Sequence, residues 1–156
     1  MQGRFVREST SEYSEFALPN DANHLGNLLG GKIMHLVDLA GAIAAMKHCR
    51  NPVVTASVDH MDFLHPVRIG QLLRLRASVN RAFNSSMEAG VKVWSEDLIS
   101  GEERHVSSAF LTFVAVAKDG SSVRVPPVIP ETDDEKRRYD RAGERREHRL
   151  SLRRRD

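Results

Sequence analysis

From Gly31 to about His48 nearly every position is apolar or small, and Lys32, His35 and Asp38 form a narrow polar stripe at a spacing of three. A helix that is apolar on almost every side belongs at the centre of a fold. Its second half, Ala40-Gly41-Ala42-Ile43-Ala44-Ala45, is rich in small residues, so a sheet or another helix can approach closely, and Asn51-Pro52 ends it. The remaining signals are strands. Residues 10–18 form a first one, which Pro19-Asn20-Asp21 breaks into a loop running to Gly31. Four strand-like runs follow at 53–61, 71–83, 86–97 and 104–117. The first opens with the β-branched stretch Val53-Val54-Thr55-Ala56-Ser57-Val58, and in the third Met87, Ala89, Val91 and Val93 alternate with Glu88, Lys92 and Trp94. Strands that follow one another without intervening helices pair antiparallel, so the pattern predicts an α+β fold, a long central helix wrapped by a curved antiparallel sheet of about five strands.

Composition limits what else the chain can hold. With 156 residues, 40% of them hydrophobic, it builds one sizeable core, expected over 1–130, plus a charged C-terminal tail over 131–156. The net charge of +2 sits entirely in that tail, since residues 1–130 carry 13 basic and 13 acidic groups and residues 131–156 carry 10 and 8. Acids precede bases there in the order that suits a helix, with i, i+4 pairs such as Asp133 to Arg137, which predicts a partly helical, solvated segment that frays. The closing Arg153-Arg154-Arg155 has no interleaved aromatic residues for base stacking, so nucleic acid is not the expected partner. The one cysteine, Cys49, excludes an internal disulfide. The longest apolar stretch is interrupted by His35 and Asp38, and the N-terminus lacks a signal-peptide core; a cytoplasmic protein without membrane attachment is expected.

Three patterns bear on chemistry. Asp38 is a carboxylate two turns into an apolar helix, and a carboxylate buried without partners costs several kcal/mol or takes up a proton. Gly30-Gly31 opens that helix, where backbone N–H groups lack intrahelical partners and the dipole is positive. Gly26-Asn27-Leu28-Leu29-Gly30-Gly31-Lys32 has the spacing of a phosphate loop, but Ile33 stands where a magnesium-binding Ser or Thr belongs, and no buried parallel strand precedes it. The seven histidines include no i, i+4 pair on a helix, so no metal site is expected. Cys49 has no paired base and reads as a packed thiol.

Asp21-Ala22-Asn23-His24-Leu25-Gly26-Asn27 with Gly30-Gly31-Lys32-Ile33-Met34, then Val37-Asp38-Leu39-Ala40-Gly41-Ala42, resembles the loop and helix of the hotdog-fold acyl-CoA thioesterases, in their cytosolic acyl-CoA hydrolase branch. Val54-Thr55-Ala56-Ser57-Val58-Asp59, Asp62-Phe63 and the Pro66 to Gly70 turn resemble that family's second strand and the step into its third, and Asn84-Ser85-Ser86-Met87-Glu88 the start of its fourth. The similarity runs over residues 10–130. It implies hydrolysis of an acyl-CoA thioester to free fatty acid and coenzyme A. Asp38 would be nucleophile or general base, Asn23 would orient the thioester or the attacking water, and the Gly31 N–H would serve as oxyanion donor. The resemblance also implies that the Asn of one subunit works with the Asp of its neighbour, in a homodimer and a trimer of dimers. Pantetheine would lie along Thr55, Ala56 and Ser57 with Gly30 close by, and the nucleotide end near Asn84, Ser85 and Ser86, with Arg81 on a phosphate. No separate cofactor is implied, because coenzyme A is part of the substrate. The alternative is a hotdog domain that binds acyl-CoA without turnover, as a sensor or a subunit of something larger; both Asn23 and Asp38 in one chain favour the enzyme.

Overall fold

The computed structural model describes residues 1–154. Helix α1 spans Gly30–Cys49, and five strands, β2 (Ser11–Phe16), β3 (Val53–Phe63), β4 (Leu72–Ala82), β5 (Ser86–Glu96) and β6 (Glu103–Ala115), form one antiparallel sheet in the order β2-β4-β5-β6-β3. This is the hotdog arrangement, and each expected element lies within about two residues of its predicted position. Two short strands not foreseen from the sequence, β1 (Arg4–Phe5) and β7 (Val128–Ile129), pair in parallel and close the N-terminal arm over the segment that leaves β6.

Helix α1 lies on one face of the sheet. Ile33, Leu36, Val37, Ala40, Ala44 and Ala45 are buried against Leu73, Leu75, Val79, Val91, Leu111 and Phe113. Gly41 sets the separation, since a Cβ there would stand 2.9 Å from the Phe113 ring. The small residues thus serve close packing, as their clustering suggests. Arg50 in the left-handed conformation (φ 55°) stops the helix just ahead of Asn51 and Pro52. Fully buried His48 at its last turn holds the Pro126 carbonyl at 2.7 Å and so pins the segment leading to β7.

The tail does not behave as a solvated appendage. Residues Asp133–Arg153 form a single helix, α2, capped by Thr132, whose hydroxyl accepts the Glu135 N–H at 3.0 Å. It docks on the other face of the sheet. Arg145 clamps buried Glu88 through two bonds of 2.9 and 2.7 Å while its guanidinium lies 3.6 Å from the Phe110 ring centre. Arg149 reaches Asp59 at 3.0 Å, and Ala142 is fully buried. The expected pair of Asp133 with Arg137 is not formed; Asp134 instead takes both Arg137 and Arg138. Arg155 of the terminal arginine run lies outside the described residues.

Candidate active site at the start of the central helix

The loop before α1 is held at several points. Its backbone bridges Ala22 to Leu28 and Asn27 to Arg68, the Leu28 amide donates to the Val67 carbonyl at 2.7 Å, and Gly26 takes a positive φ of 79° at the turn. Lys32 lies within 3.5 Å of Glu15 and 3.7 Å of Asp21, so it ties the helix start to β2 and the loop and is not part of a free polar stripe. The amides of Gly30 and Gly31 find no acceptor among the described residues, as helix geometry requires of a first turn without a side-chain cap. Gly31 faces open space, while the Phe63 ring lies 3.7 Å from the position a Cβ on Gly30 would take.

Asp38 is half-buried within one subunit, on the outward side of α1 among the exposed side chains Met34, Leu39 and Ile43. The deep burial inferred from the apolar sequence is therefore not present in the single chain. Thr55 Oγ1 donates to Asp38 Oδ1 at 2.6 Å, and the second carboxylate oxygen accepts nothing among the described residues. Thr55 is aimed at the helix by its register opposite Phe113, on the α1 face. The strand then bulges at Ala56, and Ser57 pairs with Thr112 on the opposite face. Thr55 and Ser57 therefore face opposite sides of the sheet, and with Ala56 they lie on its edge strand β3. Thr55 orients the carboxylate. Ser57 donates to Asp59 at 2.9 Å, in a cluster that Thr112 and Arg149 complete.

Asn23 spends its side-chain oxygen on its own loop, accepting the Leu25 and Asn27 amides at 2.9 and 3.1 Å. No hydrogen bond joins it to Asp38 within the subunit. Its amide nitrogen is left without an acceptor among the described residues, held in a fixed direction by the turn.

The four residues expected at the nucleotide end gather elsewhere, around the β4–β5 turn beneath α2. Asn84 and Ser85 use their carbonyls to hold Val125 and Ala115, so their backbone is structural. Arg81 donates to the Tyr139 carbonyl at 3.3 Å and stacks on the Tyr139 ring at 4.1 Å, which makes it a seat for α2. Arg146, not singled out in the sequence, donates to Ser86 Oγ at 3.3 Å, lies 4.4 Å from the Phe83 ring centre, and has no carboxylate partner among the described residues. Burial, with Arg149 and Arg153 nearby, pushes its guanidinium down from the usual arginine range. The open groove here, about 400 Å³, is lined by Arg81, Phe83, Gly143 and Arg146. An unpaired arginine among the tail's many charges gives no signal in sequence spacing.

Among the described residues no group of three or more His, Cys, Asp or Glu side chains is placed to hold a metal, and no helix is long and apolar enough to cross a membrane. Cys49 is buried, its thiol pushed up mainly by that burial.

A central helix on a five-stranded antiparallel sheet, with free amides at the helix start and an oriented carboxylate two turns further along, is the architecture of a hotdog hydrolase. The thioesterase superfamily model matches residues 25–101. The uncharacterised acyl-CoA thioester hydrolase YkhA of Bacillus subtilis is 39% identical over 97% of this chain and 88% of its own length. Acyl-coenzyme A thioesterase 11 of Mus musculus is 41% identical over 96% of the chain, which spans only 25% of that longer protein. Among solved structures, an apo hexameric acyl-CoA thioesterase superposes with a TM-score of 0.94 at 39% identity, covering 97% of both chains. An acyl-CoA hydrolase from Staphylococcus aureus, in complex with butyryl coenzyme A, coenzyme A and coenzyme A disulfide, gives 0.89 at 39% identity over 96% of this chain and 92% of that one. The Staphylococcus protein has also been solved as alanine variants of one Asp, one Thr and one Asn. The chain belongs to the acyl-CoA thioesterase family of the thioesterase superfamily.

Proposed function

We propose that this protein hydrolyses acyl-CoA thioesters at a site built around Asp38 and completed by a second subunit. The observation that carries the reading is the 2.6 Å bond from Thr55 to Asp38, on the same helix whose first turn offers the free Gly31 amide. The bond occupies one oxygen of the carboxylate and leaves the other to attack the thioester carbonyl or to take a proton from water. Either route sends negative charge onto the carbonyl oxygen, which the Gly31 N–H and the positive helix end stabilise; a donor of this kind is worth about 10²- to 10³-fold in rate. By the first route the acyl–Asp38 anhydride formed as the coenzyme A thiolate departs is then opened by water, and by the second the activated water adds to the carbonyl carbon directly. In both, water gives its hydroxyl to the acyl group, which leaves as the carboxylic acid, and its other proton to the thiolate, which leaves as the thiol. Further support comes from spacing: the Asn, Asp and Thr replaced in the Staphylococcus hydrolase are 15 and 17 positions apart, as are Asn23, Asp38 and Thr55.

Asn23 makes no bond to Asp38 of its own subunit, and its side-chain nitrogen is unspent, which fits a role across a dimer contact. The outward side of α1 supplies that contact with Met34, Leu39, Ile43 and Met46, each between 45 and 48% exposed, beside edge strand β3. A trimer of such dimers accords with the hexameric relative. Arg146, Arg81 and Ser86 suit the phosphates at the nucleotide end of coenzyme A.

The test is thiol release from a panel of acyl-CoAs, with circular dichroism to verify folding. Asp38→Ala is expected to lose roughly 10²- to 10⁴-fold in turnover. Thr55→Ala is expected to lose about tenfold, the effect of one hydrogen bond to a charged group, and Thr55→Ser to regain it. Absence of turnover in the wild type with coenzyme A derivatives still bound would instead define a non-catalytic acyl-CoA sensor.

A further inference from the structure

Strand β3 carries two bulges: Ala56, between Thr55 and Ser57, has no partner on β6, and neither has Asp59, between Val58 and His60. Together they decide where Thr55 stands. The pairing of Met61 with Ala109, continued back along the strand without bulges, would set Thr55 opposite Ala115; it stands opposite Phe113 instead, two residues or about 7 Å along β6. Loss of one bulge alone would set it opposite Val114 and turn its side chain to the other face. Only with both bulges held does its hydroxyl reach Asp38 at 2.6 Å. One carboxylate fastens them. Asp59 Oδ1 accepts Ser57 Oγ at 2.9 Å and Oδ2 accepts Thr112 Oγ1 at 2.7 Å. Ser57 follows the first bulge and Thr112 is its partner on β6, so these bonds tie the extra residue of the second bulge to the pair that closes the first. Arg149 completes the arrangement from α2, donating Nη1 to Asp59 Oδ1 at 3.0 Å. The Asp59 side chain is only 8% exposed, and a carboxylate buried to that extent needs its counter-charge. One turn earlier Arg145 holds Glu88, the β5 partner of Thr112. The helix thus grips one cross-strand row, Ser57, Thr112 and Glu88, on the face opposite Asp38.

We propose that Asp59 and Arg149 are positioning residues for the reaction: Asp59 fastens both bulges of β3, Arg149 holds Asp59, and through them α2 fixes Thr55 against Asp38 from the far side of the sheet. Their effect on rate rests on the thioester hydrolysis proposed above. Their effect on the place of Thr55 rests on the strand geometry alone, so the two can fail separately.

Thiol release by Asp59→Ala and Arg149→Met, each alone and combined with Thr55→Ala, tests this, with urea unfolding, light scattering for assembly and crystal structures of the two single variants. If Asp59 acts through Thr55, its removal costs no more than removal of that hydroxyl, so kcat in Asp59→Ala should fall by up to about tenfold with little change in KM. Adding Thr55→Ala should then cost nothing further, whereas independent effects would multiply. Arg149→Met should show the same non-additive loss, about threefold, and Arg149→Lys, which keeps the charge, should recover most of it. Both crystal structures should show the Thr55 hydroxyl drawn away from Asp38. If Asp59→Ala fails to fold or assemble, Arg149→Met decides by the same readings. Wild-type turnover with only a lowered urea midpoint, or losses that multiply with Thr55→Ala, would overturn the proposal and leave the network a brace for the fold. A wild type without turnover would count against the thioesterase reading alone; the crystal structures then decide, and an undisturbed Thr55–Asp38 bond overturns the positioning role.

Discussion

Helix α1 with 20 residues and helix α2 with 21 cover opposite faces of one sheet, and they do so with opposite chemistry. Helix α1 is apolar all round, yet one chain buries only half of it; Met34, Leu39, Ile43 and Met46 remain outward. Helix α2 is overwhelmingly charged and has a single buried residue, Ala142, yet it is seated on its own chain through Arg145 on Glu88 and Arg149 on Asp59. Burial of apolar surface is non-directional and scales with area, so a helix held that way takes a second subunit as readily as a sheet. Buried ion pairs need a matched partner at a fixed place. In the function proposed above, the apolar helix therefore carries the shared site, and the charged one closes the fold.

Placing a charge on each helix separates these roles. Ile43→Glu on α1 should have the largest effect: a carboxylate in the apolar contact breaks the dimer, and thiol release from acyl-CoA falls to background while circular dichroism stays native. Light scattering together with the activity assay checks this, and a variant that keeps both oligomer and activity would remove the shared-site reading. On the α2 side, Glu88→Ala leaves Arg145 without its counter-charge under the helix and should cost about 3 kcal/mol in urea unfolding. Replacing both members, Glu88→Leu with Arg145→Leu, should recover most of that loss, since a buried pair is often replaceable by apolar packing of similar volume.

A third, smaller effect comes from the end of α1. Burial holds the His48 imidazole below its usual range, against the opposing pull of its bond to Pro126. The unfolded chain takes up its proton first as pH falls, so the stability held above about pH 6.5 is lost below it, until the folded-state value is also passed. Melting temperature should fall between pH 7 and pH 5 in the wild type. In His48→Gln, whose amide still donates to the Pro126 carbonyl, that part of the slope should vanish.

The asymmetry between the helices also explains what could be read in advance. An apolar run broken by Asn51-Pro52 gives α1 directly, and the alternation Met87, Ala89, Val91, Val93 gives β5, because period and punctuation are local properties. The bulges at Ala56 and Asn80 are not local. They arise from register against β6 and β5, and the one at Ala56 decides that Thr55 meets Asp38 while Ser57 faces the other way. Glu88 reads in sequence as a polar position of an alternating strand and Asp59 as the end of a β-branched run, so nothing marked them as anchors for arginines 57 and 90 positions later. Asp38 could be located but not its environment, since its one bond within the chain comes from Thr55, 17 positions later on another element.

The smallest expected effect tests whether α2 is a cooperative part of the domain or a helix lying loosely upon it. Thr132 accepts the Glu135 amide, and the Glu135 carboxylate accepts the Glu131 amide at 2.9 Å, so two donors at the helix start are satisfied together. Thr132→Ala removes one of them, at a typical cost of about 1 kcal/mol. If the ion pairs to Glu88 and Asp59 join α2 to the sheet as one unit, this cost appears in the global unfolding midpoint, and acyl-CoA turnover is untouched because Asp38 lies on the other face. If α2 frays independently, the midpoint stays put and only the amides of the first turns exchange faster. Hydrogen exchange read alongside urea unfolding distinguishes the two, and a shift in the global midpoint is the expected result, because Arg81 holds the Tyr139 carbonyl in the first half of the helix while Arg145 and Arg149 hold the sheet from its second half.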